Sequence, residues 1–464
     1  MKLTFYGATR GVTGSKTLLS THYSHYLVDC GLYQGPKELR DLNWEIDFDP
    51  KSLSAIFLTH AHIDHSGLLP RAWKFGFRGV IFCSLATYEL CEILLMDSAK
   101  LQEEDAQYAN ETKYSHHNPA GPLYTIEDAK EVLKLFQVCT ITTQKQEEWH
   151  SYKDEINFRF IRSGHILGST FVQLKTKDPE FVITFSGDVG HHHSSILKGP
   201  DIIEKTDFLI LESTYGNKLR PRVDPQIELG LFINSIVKQN GVVVIPAFTV
   251  GRTQELIYYI NKLILQGKIP KIPLYLDSPM AQAATELFLS HKEEHKENLD
   301  EDTFKHSWIP VNSMQDSSKL IQSSGPFVVI TASGMLTGGR VMHHLKARLP
   351  KKNNGVIFVG FQAQETKGRL LLEGLQSLRI HHEEIPVCAK IFHIDSLSAH
   401  ADYLEILEWL KNFKTAPQCI FINHGELRAK ESLKSFIQSE FNYKVTIPDK
   451  GEEIDLRHWS LGSE

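Results

Sequence analysis

The chain predicts an α/β protein containing a doubly wound parallel sheet, and three observations carry that reading. From about Pro225 the apolar strands GVVVIPAFT, PLYLDSPM, PFVVITASG and GVIFVGFQ alternate with helical stretches, the pattern of parallel strands joined by crossover helices. The first third reads instead as short strands rich in Thr, Tyr, Val and Leu, separated by tight turns. The 464 residues, 41% hydrophobic and 23% charged, suffice for two or three domains with buried cores.

In order, LTFYGA, KTLLST and HYLVDCG read as a sheet edge and hairpin, and SAIFLTH and GVIFCS as buried strands. A helix follows from about Ala86 to Asn110, with Leu90, Ile93, Leu94 and Leu101 on one face. Thr125-Ile-Glu-Asp is a capping box that opens a second helix ahead of Val132, Leu133 and Phe136. Strands INFRFIRSGH, FVQLKT, FVITFSGDVG and DFLILESTYG come next. The alternating region carries helices at IELGLFINSIVKQ, Arg252 to Leu265, around Ala283 to Leu289, and at RVMHHLKARL. KIFHIDSLSAH, a helix YLEILEWLKNF, the strand QCIFINHGE and a helix from Leu427 to Phe441 close the chain. There is no internal repeat, and the one homopolymer is His191-His192-His193, read as a surface loop.

Composition excludes several classes. Lys plus Arg is 50 against 56 Asp plus Glu, a formal charge of −6, so any nucleic-acid surface must be a local patch. No apolar run approaches the ~20 residues a bilayer requires, so no membrane partner is expected. The opening MKLTFYGATRGVTGSK reads as a strand running into a glycine turn, not an export signal. None of the six cysteines forms a CxxC pair, and reduced core thiols in a cytoplasmic protein are expected.

Chemistry concentrates at T-H-A-H-I-D-H-S-G, directly after the apolar SAIFL. His60, His62, Asp64 and His65 leave a strand within six positions, and a loop there can turn them toward two adjacent metal ions. A zincin helix would space its histidines four apart. Single histidines and aspartates are more often structural. After HAHIDH, however, His165 in RSGHILGS and Asp188 in TFSGDVG become the expected third histidine and bridging carboxylate.

HxHxDH, SGHxLGS and SGD, with Asp29 closing an early strand, resemble the metallo-β-lactamase fold. LILESTYG, PAFTVGRTQEL, DSPMA, TASGMLTGGR, VGFQAQETKGR, SLSAHADY and INHGE extend the resemblance to the β-CASP nucleases of RNA processing over nearly the whole chain. The resemblance implies an αββα sandwich of residues 1–212 and 391–464, with a doubly wound α/β domain inserted at 213–390. It implies two zinc ions per chain, one held by His60, His62 and His165, the other by Asp64, His65 and His424. Asp188 would bridge them, and Asp29 would brace the ligand loop. Glu212 and His400 match the family's motif A acid and motif B histidine, and His424 its motif C histidine. DNA-directed relatives usually lack that last histidine, so the resemblance favours single-stranded RNA.

On this reading Asp64, Glu212 and His400 are catalytic, with His400 as general acid. The small residues of TASGMLTGGR and the helix start of PAFTVGRTQE make Ser333, Gly334, Arg252 and Arg340 the candidate phosphate contacts. Two departures touch expected substrate loops: His191 to His193 replace an Arg-containing loop, and Lys218 and Leu219 stand where the family has Arg and His. An endoribonuclease leaving 5′-phosphate and 3′-hydroxyl ends is expected. A 5′ exoribonuclease, a small-molecule ester or thioester hydrolase and a non-catalytic scaffold are the alternatives. A homodimer is compatible with the sequence but not required by it.

Overall fold

The computed structural model describes residues 1–112, 119–142, 148–221, 223–297, 299–304, 308–360, 362 and 366–460. Two compact units emerge: 1–193 with 199–219 and 400–464, and 194–198 with 220–399.

In the first unit two sheets stack face to face. One orders its strands Glu453–Asp455, Lys2–Phe5, Thr17–Ser20, His25–Val28, Leu53–Phe57, Val80–Ser84 and Phe136–Cys139. The other orders Val445–Thr446, Cys419–Ile422, Phe208–Leu211, Val182–Phe185, Thr170–Thr176, Ile156–Arg162 and Ile141–Thr142. Period-two alternation explains the layering. Phe208 and Ile210 join Phe57, Phe82, Phe158 and Phe421 in the core between the sheets. Leu209 and Leu211 face the other way, onto Ile406, Trp409, Leu410, Leu433 and Ile437 of the helices Tyr403–Leu410 and Leu427–Phe441. The long helix Leu85–Thr112 packs on Val80–Ser84 and Phe136–Cys139. The expected αββα sandwich is present.

The second unit holds a six-stranded, all-parallel sheet: Ile309–Pro310, Leu274–Asp277, Phe327–Thr331, Val242–Pro246, Gly355–Val359 and Lys390–Ile394. Its strands are buried end to end at Val242–Pro246, Phe327–Thr331 and Gly355–Val359, as parallel strands covered on both faces must be.

Several expectations change. Against the expected boundaries at 212/213 and 390/391, the compact units divide at 219/220 and 399/400, and Lys390–Ile394 pairs in register with Gly355–Val359 as the sixth strand of the inserted sheet. Lys2–Phe5 is not an edge, since Glu453–Asp455 pairs outside it. Thr125 forms its capping box with Asp128, but the helix ends at Leu133 and Phe136 begins a strand. Leu101 is exposed, not on the buried face. Five of the six cysteines are buried free thiols, and Cys388 is exposed. Among the described residues no helix is long and apolar enough to cross a membrane.

Candidate metal centre

The residues singled out in the first unit converge at the strand ends. Asp188, Glu212 and His424 follow the C-terminal ends of the parallel neighbours Val182–Phe185, Phe208–Leu211 and Cys419–Ile422. His60 leaves Leu53–Phe57 of the facing sheet, and His62 caps a one-turn helix, Ile63–Ser66, that carries Asp64 and His65. The ligand turn is therefore helical, not an open loop. Cys30 donates its N–H to the His65 carbonyl at 2.7 Å, and Ser15 to that of Asp64 at 2.8 Å. Gly31 permits this approach: a Cβ there would lie 1.6 Å from the Asp64 oxygen.

Asp29 sits at φ 61° beneath this turn. Its carboxylate accepts the Thr59 N–H and hydroxyl, both at 2.9 Å, and His65 Nδ1–H at 2.7 Å. One acid thus orients both ends of the ligand segment. Thr59 escaped the sequence reading, although its place directly before His60 is the available signal.

The donor atoms fall into two groups. His62 Nδ1 lies 3.2 Å from both His60 Nε2 and His165 Nε2, and Asp188 Oδ2 lies 3.4 and 3.3 Å from those two Nε2 atoms. On the other side His65 Nε2 and His424 Nε2 are 3.2 Å apart, and Asp64 Oδ2 is 3.6 Å from His424 Nε2. Asp188 Oδ1 faces this second group, 3.4 Å from His65 Nε2 and 3.3 Å from His424 Nδ1. Ligands about 2.0–2.1 Å from one tetrahedral ion sit about 3.3–3.4 Å from each other, so both groups have the spacing of sets sharing a metal. Asp188 Oδ1 is buried with no hydrogen-bond partner, as expected of an oxygen waiting for a cation. His60, His62, His165 and Asp188 form one candidate ligand group and Asp64, His65 and His424 another, while Asp188 and His424 also come together with Glu212 in a third.

Electrostatics agree with the donor chemistry in the first group, whereas burial at His65 is outweighed by the Asp188 and Asp29 carboxylates, which raise it well above the usual imidazole range. Burial, with neighbouring histidines, pushes His60, His62 (to about 3) and His165 down, leaving neutral imidazoles able to ligate. Burial opposes ionisation of Asp188, but His424 and His65 hold its carboxyl well below the usual range. Burial would likewise lower His400, yet the Glu212 and Asp188 carboxylates outweigh that and raise it to about 9. Its Nδ1–H donates to Glu212 Oε1 at 2.9 Å, the oxygen that also accepts Val189 N–H at 2.7 Å. The His400 ring packs 4.5 Å from that of His165, beside the ligands but in none of the groups.

Comparison with known proteins agrees with this geometry. A metallo-beta-lactamase superfamily domain model matches residues 18–215, a Beta-Casp domain model 253–371, and a Zn-dependent metallo-hydrolase RNA specificity domain model 384–448. Ribonuclease TTHA0252 of Thermus thermophilus is 33% identical over 435 residues, covering 92% of this chain and 93% of its own. This chain belongs to the β-CASP ribonuclease family of metallo-β-lactamase-fold hydrolases. The transcription termination factors FttA of Methanosarcina mazei and Thermococcus kodakarensis are 28% and 30% identical across 98% of this chain and 72% of theirs. A crystal structure of a protein of unknown function from Enterococcus faecalis shares the fold, with a TM-score of 0.53 at 14% identity and 98% of this chain covered.

In this β-CASP protein the candidate phosphate contacts all lie in the inserted unit, where the structure gives each of them protein neighbours. Arg340 donates to Asp277 Oδ1 at 2.7 Å and to the carbonyls of Val311 and Asn312 at 2.8 and 3.2 Å. Buried Arg252 pairs with Glu255. Both guanidinium groups serve carboxylates inside the inserted unit, since a buried cation left unpaired is costly. The Ser333 hydroxyl accepts Thr337 N–H at 3.0 Å, and Gly334 leaves room for Phe248, which a Cβ would approach to 3.1 Å. His191 is buried while His192 and His193 are exposed, and none of the three joins a ligand group among the described residues. Lys218 lies over the Tyr215 ring at 5.7 Å, and Leu219 is exposed. Phe361, Ala363, Gln364 and Glu365 of VGFQAQETKGR lie outside the described residues.

Proposed function

We propose that this β-CASP protein is a zinc-dependent endoribonuclease that hydrolyses single-stranded RNA to 5′-phosphate and 3′-hydroxyl products. The observation that carries the reading is Asp188, one oxygen turned to each histidine group, with the hydrogen-bonded His400–Glu212 pair alongside. His60, His62 and His165 would hold one zinc, and Asp64, His65 and His424 the other, with Asp188 shared. Bound there, the ions supply an activated water near neutral pH and offset the charge of the phosphodiester.

The protein's own groups do the rest. Asp29 keeps His65 Nδ1 protonated, so that Nε2 is left free as a donor atom. Glu212 fixes the His400 proton on Nδ1 and favours the imidazolium. His400 Nε2–H is then the acid for the departing 3′-oxygen, which a neutral imidazole cannot protonate. Breaking the P–O3′ bond leaves a 3′-hydroxyl on one product and the phosphate on the 5′ end of the other, without using the ribose 2′-hydroxyl.

The test incubates zinc-replete protein with circular single-stranded RNA and with the matched linear 5′-monophosphate RNA. Cleavage of the circle is expected. Shortening of the linear RNA alone would make the protein a 5′ exonuclease, and an unchanged pair of RNAs would move small ester and thioester substrates ahead.

A further inference from the structure

Lys430 belongs to no ligand group and has no part in the chemistry above, yet it is completely buried on the helix Leu427–Phe441. Its ammonium meets two backbone carbonyls, Ala8 at 3.2 Å and Thr9 at 2.5 Å, in place of a carboxylate. The Ala8 oxygen has a second donor, the backbone N–H of His424 at 2.9 Å.

That sharing matters because His424 is held in an unfavourable conformation. Its φ of 47° lies in the left-handed region, which a non-glycine residue adopts only when its surroundings fix it there. On one side the turn is pinned by strand ends, with Asn423 N–H on the Leu211 carbonyl at 2.8 Å and Ser213 N–H on that of His424 at 2.9 Å. On the other it leans on the irregular loop of residues 7–11. Asn423 Nδ2 donates to Gly7 O, and Gly425 N–H to Gly11 O, both at 3.0 Å. The loop is not part of a strand and needs an anchor of its own. Lys430 provides one, through charge-assisted hydrogen bonds.

Retaining a lysine at this place costs stability. Burial pushes its ammonium down to about 7, and an apolar side chain of similar length would avoid that penalty.

We infer that Lys430 is a positioning residue for the second metal ion: it clamps the Ala8 and Thr9 carbonyls and, through the shared Ala8 oxygen, holds His424 in its ligating position. The inference rests on the reading of His424 as a ligand.

Metal-free full-length protein titrated with cobalt(II), followed by visible absorption and chelator competition, tests it. Wild type should take two ions, and His424→Ala should lose one. Lys430→Met should bind the first ion normally and the second about 10-fold more weakly, the lower end of what partners outside the ligand sphere usually carry. Its cobalt spectrum should change, kcat for RNA should fall at unchanged KM, and the metal-free variant should melt no lower than wild type. Second-ion affinity within about twofold of wild type, or equal weakening of both ions, would overturn the inference. Should Lys430→Met not fold, Lys430→Leu decides, by the same selective loss or its absence. A wild type that takes one ion, or a His424→Ala that keeps two, would remove the ligand reading itself and this inference with it.

Discussion

Two buried aspartates, one in each unit, sit among histidines, and their surroundings separate a ligand site from a structural network. Asp277 of the inserted unit accepts Arg340 Nη1 at 2.7 Å, Ser317 Oγ at 2.6 Å and His344 Nε2 at 2.7 Å. Its neighbours donate protons to it at hydrogen-bonding distance, and they outweigh burial to hold its carboxyl below the usual range. Asp188 has four imidazoles at 3.3–3.4 Å, beyond good hydrogen bonds, with ring nitrogens facing one another at 3.2 Å. In the first arrangement the carboxylate itself is fully engaged by protein donors, whereas in the second Asp188 Oδ1 is buried without a hydrogen-bond partner, amid donor atoms spaced as metal ligands are.

The contrast breaks most readily at the ligands. Asp64→Ala or His65→Ala should reduce RNA cleavage by more than about 10³-fold while RNA binding stays measurable by fluorescence anisotropy. Retained activity in a variant shown by elemental analysis to have lost metal would defeat the two-ion assignment. His400→Ala should cost about 10²–10⁴-fold in kcat with metal content unchanged. If metal falls with it, the residue is a ligand or a structural group and not the acid.

Asp277→Ala should do the opposite of the ligand variants. Metal content should hold while unfolding free energy drops by about 3–5 kcal/mol, because buried His344 loses its acceptor and Arg340 its carboxylate. Calorimetry alongside metal analysis separates the two behaviours. A loss of metal here would erase the distinction between the two aspartates.

A pH profile sharpens the comparison further. His400 is raised to about 9, so the imidazolium persists below that value and is lost above it. With His400 as acid, kcat should decline as pH rises through about 9. Glu212→Gln removes the main raising charge and should bring that decline to lower pH; an unmoved limb would assign it to another group. The smallest effect belongs to the exposed histidines: His192→Ala and His193→Ala should leave metal stoichiometry unchanged.

Legibility differed sharply between the units. His60, His62, Asp64 and His65 could be read directly because one strand exit supplies all four within six positions. His424 has no such local signal and stood out through family resemblance alone. Arg252 and Arg340 were read as facing a ligand because they begin helices after small-residue turns. The structure pairs them with Glu255 and Asp277, partners that a helix-start position does not predict. The domain boundary differs for a related reason. Lys390–Ile394 is mostly half-buried and mixed in polarity, and only its pairing with Gly355–Val359 assigns it to the inserted sheet.

By itself the sequence determined the α/β class, the strand exit that carries the clustered ligands and the polar types able to hold metal, because each is written in neighbouring residues through periodicity and spacing. Tertiary structure alone decided which oxygen of Asp188 faces which histidines, where the guanidinium groups point and why Lys430 is buried. Those outcomes depend on residues far apart in the chain, and a lysine on an amphipathic helix carries no local mark of the carbonyls it will meet.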